Sequence, residues 1–173
     1  MKKHYLLATV MFFSFTLLVS SQFAIAGPPI SDVQKNVEKL WKPIKESQPH
    51  VTAIEFKKIL DSDKEFVLID VRTSDEYKAA HLPGAINIQR GLIEWVTPRT
   101  IEDTDTPIYA YCRTGARSAF VTQRLIDMGY TNVTNIYDAF KGWVVAGYPV
   151  YNRHGQFTLD KGAFEKKDPY SDK

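Results

Sequence analysis

Cysteine is the residue that this 173-residue sequence has least of, with Cys112 as its single example. One cysteine cannot form a disulfide within the chain. Histidine is also scarce, and both His50 and His154 lie outside any cluster of Cys, His and carboxylate residues. Protein metal sites are built from such clusters, so the sequence indicates no metal site, and it predicts no cofactor.

The chain also has no large excess of positive or negative charge. The chain has 22 Lys and Arg residues against 20 Asp and Glu residues, and two of the lysines, Lys2 and Lys3, lie in a first segment without acids. The remainder is formally neutral and contains no basic run. These features argue against nucleic acid or an anionic membrane as a partner.

The first 26 residues have the pattern of a secretory signal peptide. Two lysines precede an apolar stretch over 6–19, and Ala24-Ile25-Ala26 forms a small-residue cleavage site. The apolar stretch is short for a membrane-spanning helix. We therefore predict cleavage after Ala26 and a mature chain of 147 residues that is periplasmic or secreted, without a membrane anchor. In such an oxidising compartment, a single thiol is better explained by a role in a chemical reaction than by a structural role.

The mature chain divides into three predicted parts. Residues 27–50 form an N-terminal helical extension, read as one amphipathic helix with Ser31 as its N-cap and an end before Pro43. Residues 51–150 form the main domain. Residues 151–173 are a polar, loosely attached C-terminal tail.

Within 51–150 the pattern alternates between strands and helices. Strands are predicted at 66–69, 85–88, 108–111 and 133–136. Helices are predicted over 54–60, 91–96, 118–128 and 140–146, and a further short helix begins after Ser74. Thr52 and Ser74 are the predicted N-caps, and Pro98 is the predicted end of the helix over 91–96. This alternation predicts an α/β fold with a parallel central sheet and helices on both faces. Ligands of such sheets bind beyond the carboxyl ends of the strands, where Asp70 and Cys112 both lie.

The segment from Cys112 to Ser118 joins a predicted strand to a predicted helix. Backbone N–H groups at the start of a helix lack intrahelical partners, so such a turn attracts anions and stabilises a thiolate. Arg113 and Arg117 add positive charge, and Gly115 allows the chain to bend. We predict Cys112 as the catalytic nucleophile; the other reading is a small buried hydrophobic residue. The predicted substrate-binding residues are Arg113, Thr114, Gly115, Ala116, Arg117 and Ser118.

The hydroxyls of Thr114 and Ser118 have two open roles. Each can donate a hydrogen bond to a bound anion. Each can equally hold the turn or cap the following helix.

Four short stretches share their order and spacing with one protein family. They are Leu68-Ile69-Asp70-Val71-Arg72 with Glu76-Tyr77, His81-Leu82-Pro83-Gly84-Ala85-Ile86-Asn87, Tyr111-Cys112-Arg113-Thr114-Gly115-Ala116-Arg117-Ser118, and Phe140-Lys141-Gly142-Trp143 with Gly147-Tyr148-Pro149-Val150. Over these residues the chain resembles the rhodanese family. The resemblance implies a rhodanese-like fold and a thiosulfate sulfurtransferase activity. In that activity Cys112 takes a sulfane sulfur from a donor such as thiosulfate, holds it as a persulfide, and passes it to cyanide or a thiol, which a partner protein can supply.

Four residues of these stretches are assigned to structural support. Asp70 is expected to pair with an arginine, because buried charges are usually paired. Arg72 lies two residues farther along the chain and is assigned to structural support as well. His81 precedes the Leu-Pro-Gly turn, and Trp143 fits the core or a pocket wall. The family often has Gly-Gly where this chain has Asp138-Ala139. We expect these side chains to narrow the site, and the carboxylate to oppose an incoming anion.

Two other functions compete with enzymatic sulfur transfer. One is a non-enzymatic persulfide relay or binding module that docks on a protein partner through the N-terminal helix and the tail. The other is a cysteine phosphatase or arsenate reductase, which also uses a thiolate in an anion cradle. Four residues separate Cys112 from Arg117, whereas the phosphatase pattern has five, so the loop geometry disfavours that class.

Overall fold

The computed structural model describes residues 27–164, so the predicted signal peptide and residues 165–173 lie outside the described part. The helices are α1 (Ile30–Ser47), α2 (Ala53–Leu60), α3 (Ser74–Ala79), α4 (Ile93–Thr100), α5 (Ala116–Asp127) and α6 (Ala139–Val145). The strands are β1 (His50–Val51), β2 (Val67–Asp70), β3 (Ile86–Asn87), β4 (Ile108–Tyr111), β5 (Val133–Ile136), β6 (Val150–Asn152) and β7 (Gly155–Phe157). Among the helices within 27–164, none is both long enough and apolar enough to cross a bilayer.

Five of the strands form one parallel sheet in the order β1-β5-β4-β2-β3. In register across its middle lie Ile69 of β2, Ala110 of β4 and Asn135 of β5. The predicted parallel sheet is therefore confirmed. Because β4 is the central strand, the residue that follows it, Cys112, lies at the middle of the carboxyl edge.

The sheet carries an apolar core on each face. Leu68 and Tyr111 pack with α2 and α6 on one face, whereas Ile69 and Ala110 pack with α4 and α5 on the other. Successive residues of a strand point to opposite faces, so strands covered on both sides are apolar at nearly every position. The predicted α/β fold with helices on both faces is confirmed.

Two helices continue through prolines at which the sequence predicted an end. Pro43 lies inside α1, and Pro98 lies inside α4. A proline inside a helix costs about 3 kcal/mol because it removes a hydrogen bond and crowds the preceding turn. Tertiary contacts beyond the proline offset this cost in α1, where Lys45 and Gln48 bond to carbonyls of the Cys112 loop and α5. In α4 the last turn, which contains Pro98, begins with the fully buried Thr97, so this end of the helix is packed against the domain.

The predicted helix caps are partly correct. Thr52 caps α2 in a capping box with Glu55, as predicted. For α3 the predicted cap, Ser74, is wrong: Thr73 is the N-cap and Glu76 completes its capping box. Ser31 is likewise wrong as the cap of α1, because the helix follows Pro29 and has no side-chain cap.

The described part of the polar tail packs on the domain instead of hanging loosely from it. Strands β6 and β7 form an antiparallel hairpin. Tyr151 of this hairpin pairs through its backbone with His81, with both N–H···O distances at 2.9 Å. Farther on, the ring of Phe164 lies edge to face with that of Phe140, 6.1 Å away. Residues 151–164 therefore border the carboxyl edge of the sheet.

Candidate active site

The turn between β4 and α5 holds Cys112 at its start and Gly115 at its end. Gly115 precedes the first residue of α5 and has φ 88°, in the left-handed region. A Cβ atom at Gly115 would lie 2.1 Å from the carbonyl oxygen of Tyr137. Glycine is therefore required here twice, once for the backbone angle and once for the close approach.

The Cys112 thiol is buried, with 1% of the residue exposed. Its Sγ atom accepts a hydrogen bond from the Gly115 backbone N–H at 3.2 Å. The Ser118 hydroxyl lies 3.6 Å from the same sulfur, but it also lies 2.7 Å from Asn135 Oδ1, which is the better acceptor for its one proton. The Gly115 amide is thus the main donor to the sulfur.

The loop also contains backbone amides without a partner among residues 27–164. No described residue accepts a hydrogen bond from the backbone N–H of Thr114, Ala116 or Arg117. These amides lie at the start of the twelve-residue helix α5, where the helix dipole adds partial positive charge. Amides placed in this way can hold an anion beside the sulfur.

The two arginines of the loop have different surroundings. Arg113 is exposed, and its guanidinium carbon lies 5.6 Å from the centre of the Phe164 ring. Arg117 instead forms a two-pronged ion pair with Glu76 of α3, at 2.8 and 2.7 Å. The hydrogen bonds from Arg117 lower the pKa of Glu76 to about 2, and the same bonds raise the pKa of Arg117. The charge of Arg117 near the loop is therefore partly balanced by Glu76.

A third cation at the loop, Lys45 of α1, was missed by the sequence reasoning. Its Nζ donates to the carbonyl oxygen of Thr114 at 2.9 Å and lies 3.8 Å from the centre of the Tyr137 ring. The residue is only 7% exposed, and this burial lowers its pKa. One local signal existed: Val37, Trp41 and Lys45 follow at four-residue spacing, which places them on the same face of the helix.

Asp70 and Arg72 form a buried network beside the loop. Arg72 Nη2 lies 2.6 Å from Asp70 Oδ2 and 2.7 Å from the carbonyl oxygen of Ala80. The Tyr111 hydroxyl donates to the same Asp70 oxygen at 2.7 Å, and burial raises the pKa of Tyr111, so this phenol stays protonated. The network ties the ends of β2 and β4 to the loop before Leu82. None of its described hydrogen bonds reaches the thiol.

His81 and Trp143 lie away from the sulfur. The His81 ring stacks on Tyr77 at 4.0 Å, and its Nδ1 lies 2.9 Å from the Tyr77 carbonyl oxygen. Trp143 is fully buried in the core, and its indole N–H donates to the carbonyl of Pro149 at 2.8 Å. The structure therefore brings together the residues of the loop, with the Asp70–Arg72 network beside it, whereas His81 and Trp143 contact other parts of the domain.

The Asp138 carboxylate bonds to the start of α2, while the expected effect of its charge on an incoming anion stays a prediction. Its Oδ1 accepts a hydrogen bond from the Ala53 N–H at 2.6 Å, at the first turn of α2. The next residue, Ala139, has φ 52°, in the left-handed region that glycine adopts without strain. The pair therefore holds the start of α2 at the cost of one strained alanine.

The described residues contain no group of three or more His, Cys, Asp or Glu side chains placed to hold a metal ion.

Known proteins are similar to this chain in part of its sequence and in its fold. The family model of the rhodanese-like domain matches residues 52–146. YrkF of Bacillus subtilis, named as a candidate sulfur carrier protein, is 31% identical over 97 residues, which cover 56% of this chain and 51% of YrkF. The thiosulfate sulfurtransferase GlpE of Coxiella burnetii is 27% identical over 80 residues, covering 46% of this chain and 73% of GlpE.

A solved structure gives the fold comparison. The polysulfide-sulfur transferase homodimer of Wolinella succinogenes superposes with a TM-score of 0.61 at 22% identity, covering 73% of this chain and 95% of that chain. At this identity the likeness concerns the fold alone. Among the curated relatives, the match spans about half of YrkF, at 51%, and only 23% of a longer relative from Candida albicans.

Proposed function

This chain belongs to the family of rhodanese-like domains, and we propose that it is a sulfurtransferase that uses Cys112 to carry a sulfane sulfur. The donor is an anion such as thiosulfate, and the acceptor is cyanide or a thiol. The observation that carries the proposal is the hydrogen bond from the Gly115 N–H to Cys112 Sγ, in a loop where no residue of 27–164 accepts from the N–H groups of Thr114 and Ala116. Such a loop brings a thiolate and an anionic donor together against their repulsion.

The first step forms the persulfide. The Cys112 thiolate attacks the outer sulfur of thiosulfate, a new S–S bond forms, and the old S–S bond breaks. The bonding electron pair leaves with sulfite. The thiolate and thiosulfate together carry three negative charges, and so do the persulfide anion and sulfite that they form. The unpaired amides at the start of α5 and the exposed Arg113 stabilise the departing dianion.

The second step returns the thiolate. Cyanide or a thiolate attacks the outer sulfur of the Cys112 persulfide, and the electron pair of the S–S bond returns to Sγ. With cyanide the product is thiocyanate. The persulfide anion occupies the position that the donor sulfur had, close to the amides of Thr114 and Ala116, which none of the described residues engages.

The proposed setting is the periplasm or the exterior of the cell. It rests on the signal-peptide pattern over 1–26 and on the single cysteine, which in an oxidising compartment has no disulfide partner in its own chain. N-terminal sequencing of the protein purified from an export-competent host checks this point: cleavage after Ala26 supports it, and an intact Met1 contradicts it.

The test of the proposed function is the intact mass of the protein before and after thiosulfate, and again after cyanide. We expect a gain of one sulfur that cyanide removes, and no gain in Cys112→Ser. Serine is close in size and keeps the loop, so its circular dichroism spectrum should match that of the parent. If Cys112→Ser gains as much sulfur as the parent, Cys112 is not the sulfur carrier and the proposed function is wrong.

A dedicated sulfur carrier for a protein partner is the second candidate. It is favoured by the likeness to YrkF, which is named as a candidate sulfur carrier. The two candidates differ in turnover with small molecules. Repeated thiocyanate formation from thiosulfate and cyanide supports the enzyme, whereas a single stable persulfide without turnover supports the carrier.

A further inference from the structure

The last turn of α1 reaches the loop around Cys112, although α1 precedes the matched family region 52–146. Lys45 lies in this turn and donates to the Thr114 carbonyl oxygen at 2.9 Å. It is one of the few charged side chains that the described chain buries, at 7% exposure. A buried ammonium has a desolvation cost, so its placement calls for a compensating role.

We propose that Lys45 is a positioning residue for Cys112, which it serves by holding and polarising the Thr114–Gly115 peptide that donates to the sulfur. The inference rests on the proposed function for its biological meaning, since the positioned group is the proposed nucleophile. Its physical content, a more reactive Cys112 thiol, stands separately.

The geometry of one peptide unit carries the argument. The Thr114 carbonyl and the Gly115 N–H belong to the same planar trans peptide, so they point in opposite directions. Lys45 Nζ lies 2.9 Å from the oxygen at one end, and Cys112 Sγ lies 3.2 Å from the nitrogen at the other. A charged donor on the carbonyl polarises the peptide and strengthens the N–H as a donor to a thiolate.

The contacts around Lys45 leave its ammonium little freedom to move. Its Nζ lies 3.8 Å from the centre of the Tyr137 ring, a cation–π distance. Its Cε would be 2.8 Å from a Cβ atom built on Gly115, so the stem of Lys45 occupies the space that the glycine leaves open. The lysine and the glycine are therefore fitted to each other.

Anchoring of α1 does not by itself require the charge of Lys45. Gln48, one turn later, already binds α5 by donating to the Ala119 carbonyl at 3.0 Å. An uncharged residue at position 45 would keep this anchor and the apolar contact of the stem. What it would lose is the bond to the Thr114 carbonyl and a positive charge near the sulfur.

Several other charged groups face Lys45. Burial lowers the pKa of Lys45, and its interactions with Cys112, Asp138 and Glu46 act in the opposite direction. Lys141 of α6 lines the same surface pocket as Lys45, Thr114 and Asp138. Any pH profile of the thiol therefore has to be compared between variants that differ at Lys45 alone.

The experiment compares Lys45→Met with Lys42→Met in the full chain. Methionine keeps an unbranched stem without the charge, and Lys42 is an exposed lysine of the same helix one turn away. The readout is the rate of Cys112 alkylation by iodoacetamide between pH 5 and 10. We expect Lys45→Met to lower the rate at neutral pH about three- to tenfold and to move the midpoint of the profile to higher pH, while Lys42→Met follows the parent.

A charge-conserving variant separates positioning from mere packing. Lys45→Arg keeps a cation and its donors, so we expect it to recover most of the alkylation rate and the parent midpoint. Lys45→Gln, which keeps a donor without the charge, provides the same comparison if Lys45→Met does not fold; its profile should shift toward higher pH. A parent-like profile in the folded Lys45→Met or Lys45→Gln protein overturns the inference.

The outcome is independent of sulfur transfer. Alkylation requires only a reactive thiol, so a shifted profile supports the inference even if thiosulfate fails to load sulfur on the parent. Conversely, normal loading of the parent with an unshifted Lys45→Met profile overturns the inference and leaves the proposed function intact.

Discussion

Arg117 lies beside the thiol together with a partner that sequence spacing does not reveal. Its two-pronged pair with Glu76 joins the start of α5 to the first turn of α3 across 41 positions of the chain. Glu76 also closes the capping box of α3 with Thr73. One carboxylate thus serves a helix start and a loop cation, and the net charge of the cradle depends on it.

This shared role predicts an acid-sensitive contribution to stability. The pKa of Glu76 is about 2 in the fold against an ordinary 4.5, chiefly because Arg117 donates to its carboxylate. A carboxyl group with a lowered pKa stabilises the fold above its unfolded value, and the contribution disappears as the pH falls from about 4.5 toward 2. We expect Glu76→Gln to lower the free energy of unfolding by about 1 to 2 kcal/mol at pH 7, after discounting for solvent screening.

The measurement is urea unfolding of the parent and the variant at pH 7 and at pH 2.5. The difference between them should shrink at the lower pH, where the carboxyl group of the parent becomes partly protonated. Glutamine still fits a capping box. Asp75→Asn, an exposed neighbour in the same turn, is the control and should change stability little at either pH. An equal difference at both pH values would contradict the assigned role of the ion pair.

At the scale of single residues, sequence reasoning found the groups that are adjacent in the chain. Cys112, Arg113, Gly115 and Arg117 fall within six positions, and their chemical types alone suggested an anion-binding thiolate. Lys45 was missed, because it comes to the loop from 69 positions before Thr114. Pairing across such distances is decided by the packing of helices, which a single sequence does not display.

At the scale of elements, local rules failed where tertiary contacts were stronger. Proline rules predicted ends at Pro43 and Pro98, yet α1 and α4 continue past them. A proline removes one hydrogen bond and strains one turn, whereas the turn that follows Pro43 places Lys45 and Gln48 on carbonyls around α5. The strands β2 and β4 were predicted closely because their apolar runs reflect burial on both faces of the sheet. The bounds of β5 were also predicted, although its two middle residues, Thr134 and Asn135, are polar.

The start of α2 gives a prediction at this scale. The Asp138 carboxylate accepts the otherwise unpaired N–H of Ala53 at 2.6 Å and carries its negative charge to a helix start. We expect Asp138→Ala to lower the free energy of unfolding by about 1 kcal/mol, as the loss of an N-cap does. Asp63→Ala, an exposed aspartate of the turn after α2, is the matched control and should be nearly neutral.

Chemical denaturation of both variants checks this expectation. The same variants test the idea that Asp138 repels the donor. Because the carboxylate is engaged by α2, we expect the apparent KM for thiosulfate in Asp138→Ala to stay within about twofold of the parent. A large fall in KM with unchanged stability would show that the charge acts on the donor and not on the helix.

At the scale of the whole molecule, the parallel topology gathers the site at one edge. Alternating strands and helices were enough to predict that Asp70 and Cys112 both lie at carboxyl ends of strands, which are β2 and β4 in the structure. The hairpin β6–β7 and the segment after it escaped prediction because each strand has only three residues, too few for a clear alternating pattern. Their positions follow from pairing with His81 and from the contact of Phe164 with Phe140.

That last segment forms one wall of a cavity beside the loop. The cavity has a volume of about 370 Å³, and its lining includes Arg72, Glu76, Arg113, Phe140, Leu159 and Phe164. The charged side chains thus line the part of the cavity near the Cys112 loop, opposite the apolar side chains of α6 and the C-terminal segment. If the chain transfers sulfur as proposed, an acceptor with an apolar body and an anionic sulfur would match this division better than a small inorganic ion.

We therefore expect Phe164→Ala to distinguish acceptors by size. Removing the ring takes apolar contact area from a bulky acceptor but none from cyanide, so KM for an aryl thiol should rise about fivefold while KM for cyanide stays unchanged. Steady-state kinetics at saturating thiosulfate measures both constants. Phe120→Ala, which removes a ring packed on Arg90 away from this cavity, is the control and should leave both unchanged. If both KM values rise together in Phe164→Ala, the segment supports the loop as a whole, and the cavity does not select the acceptor.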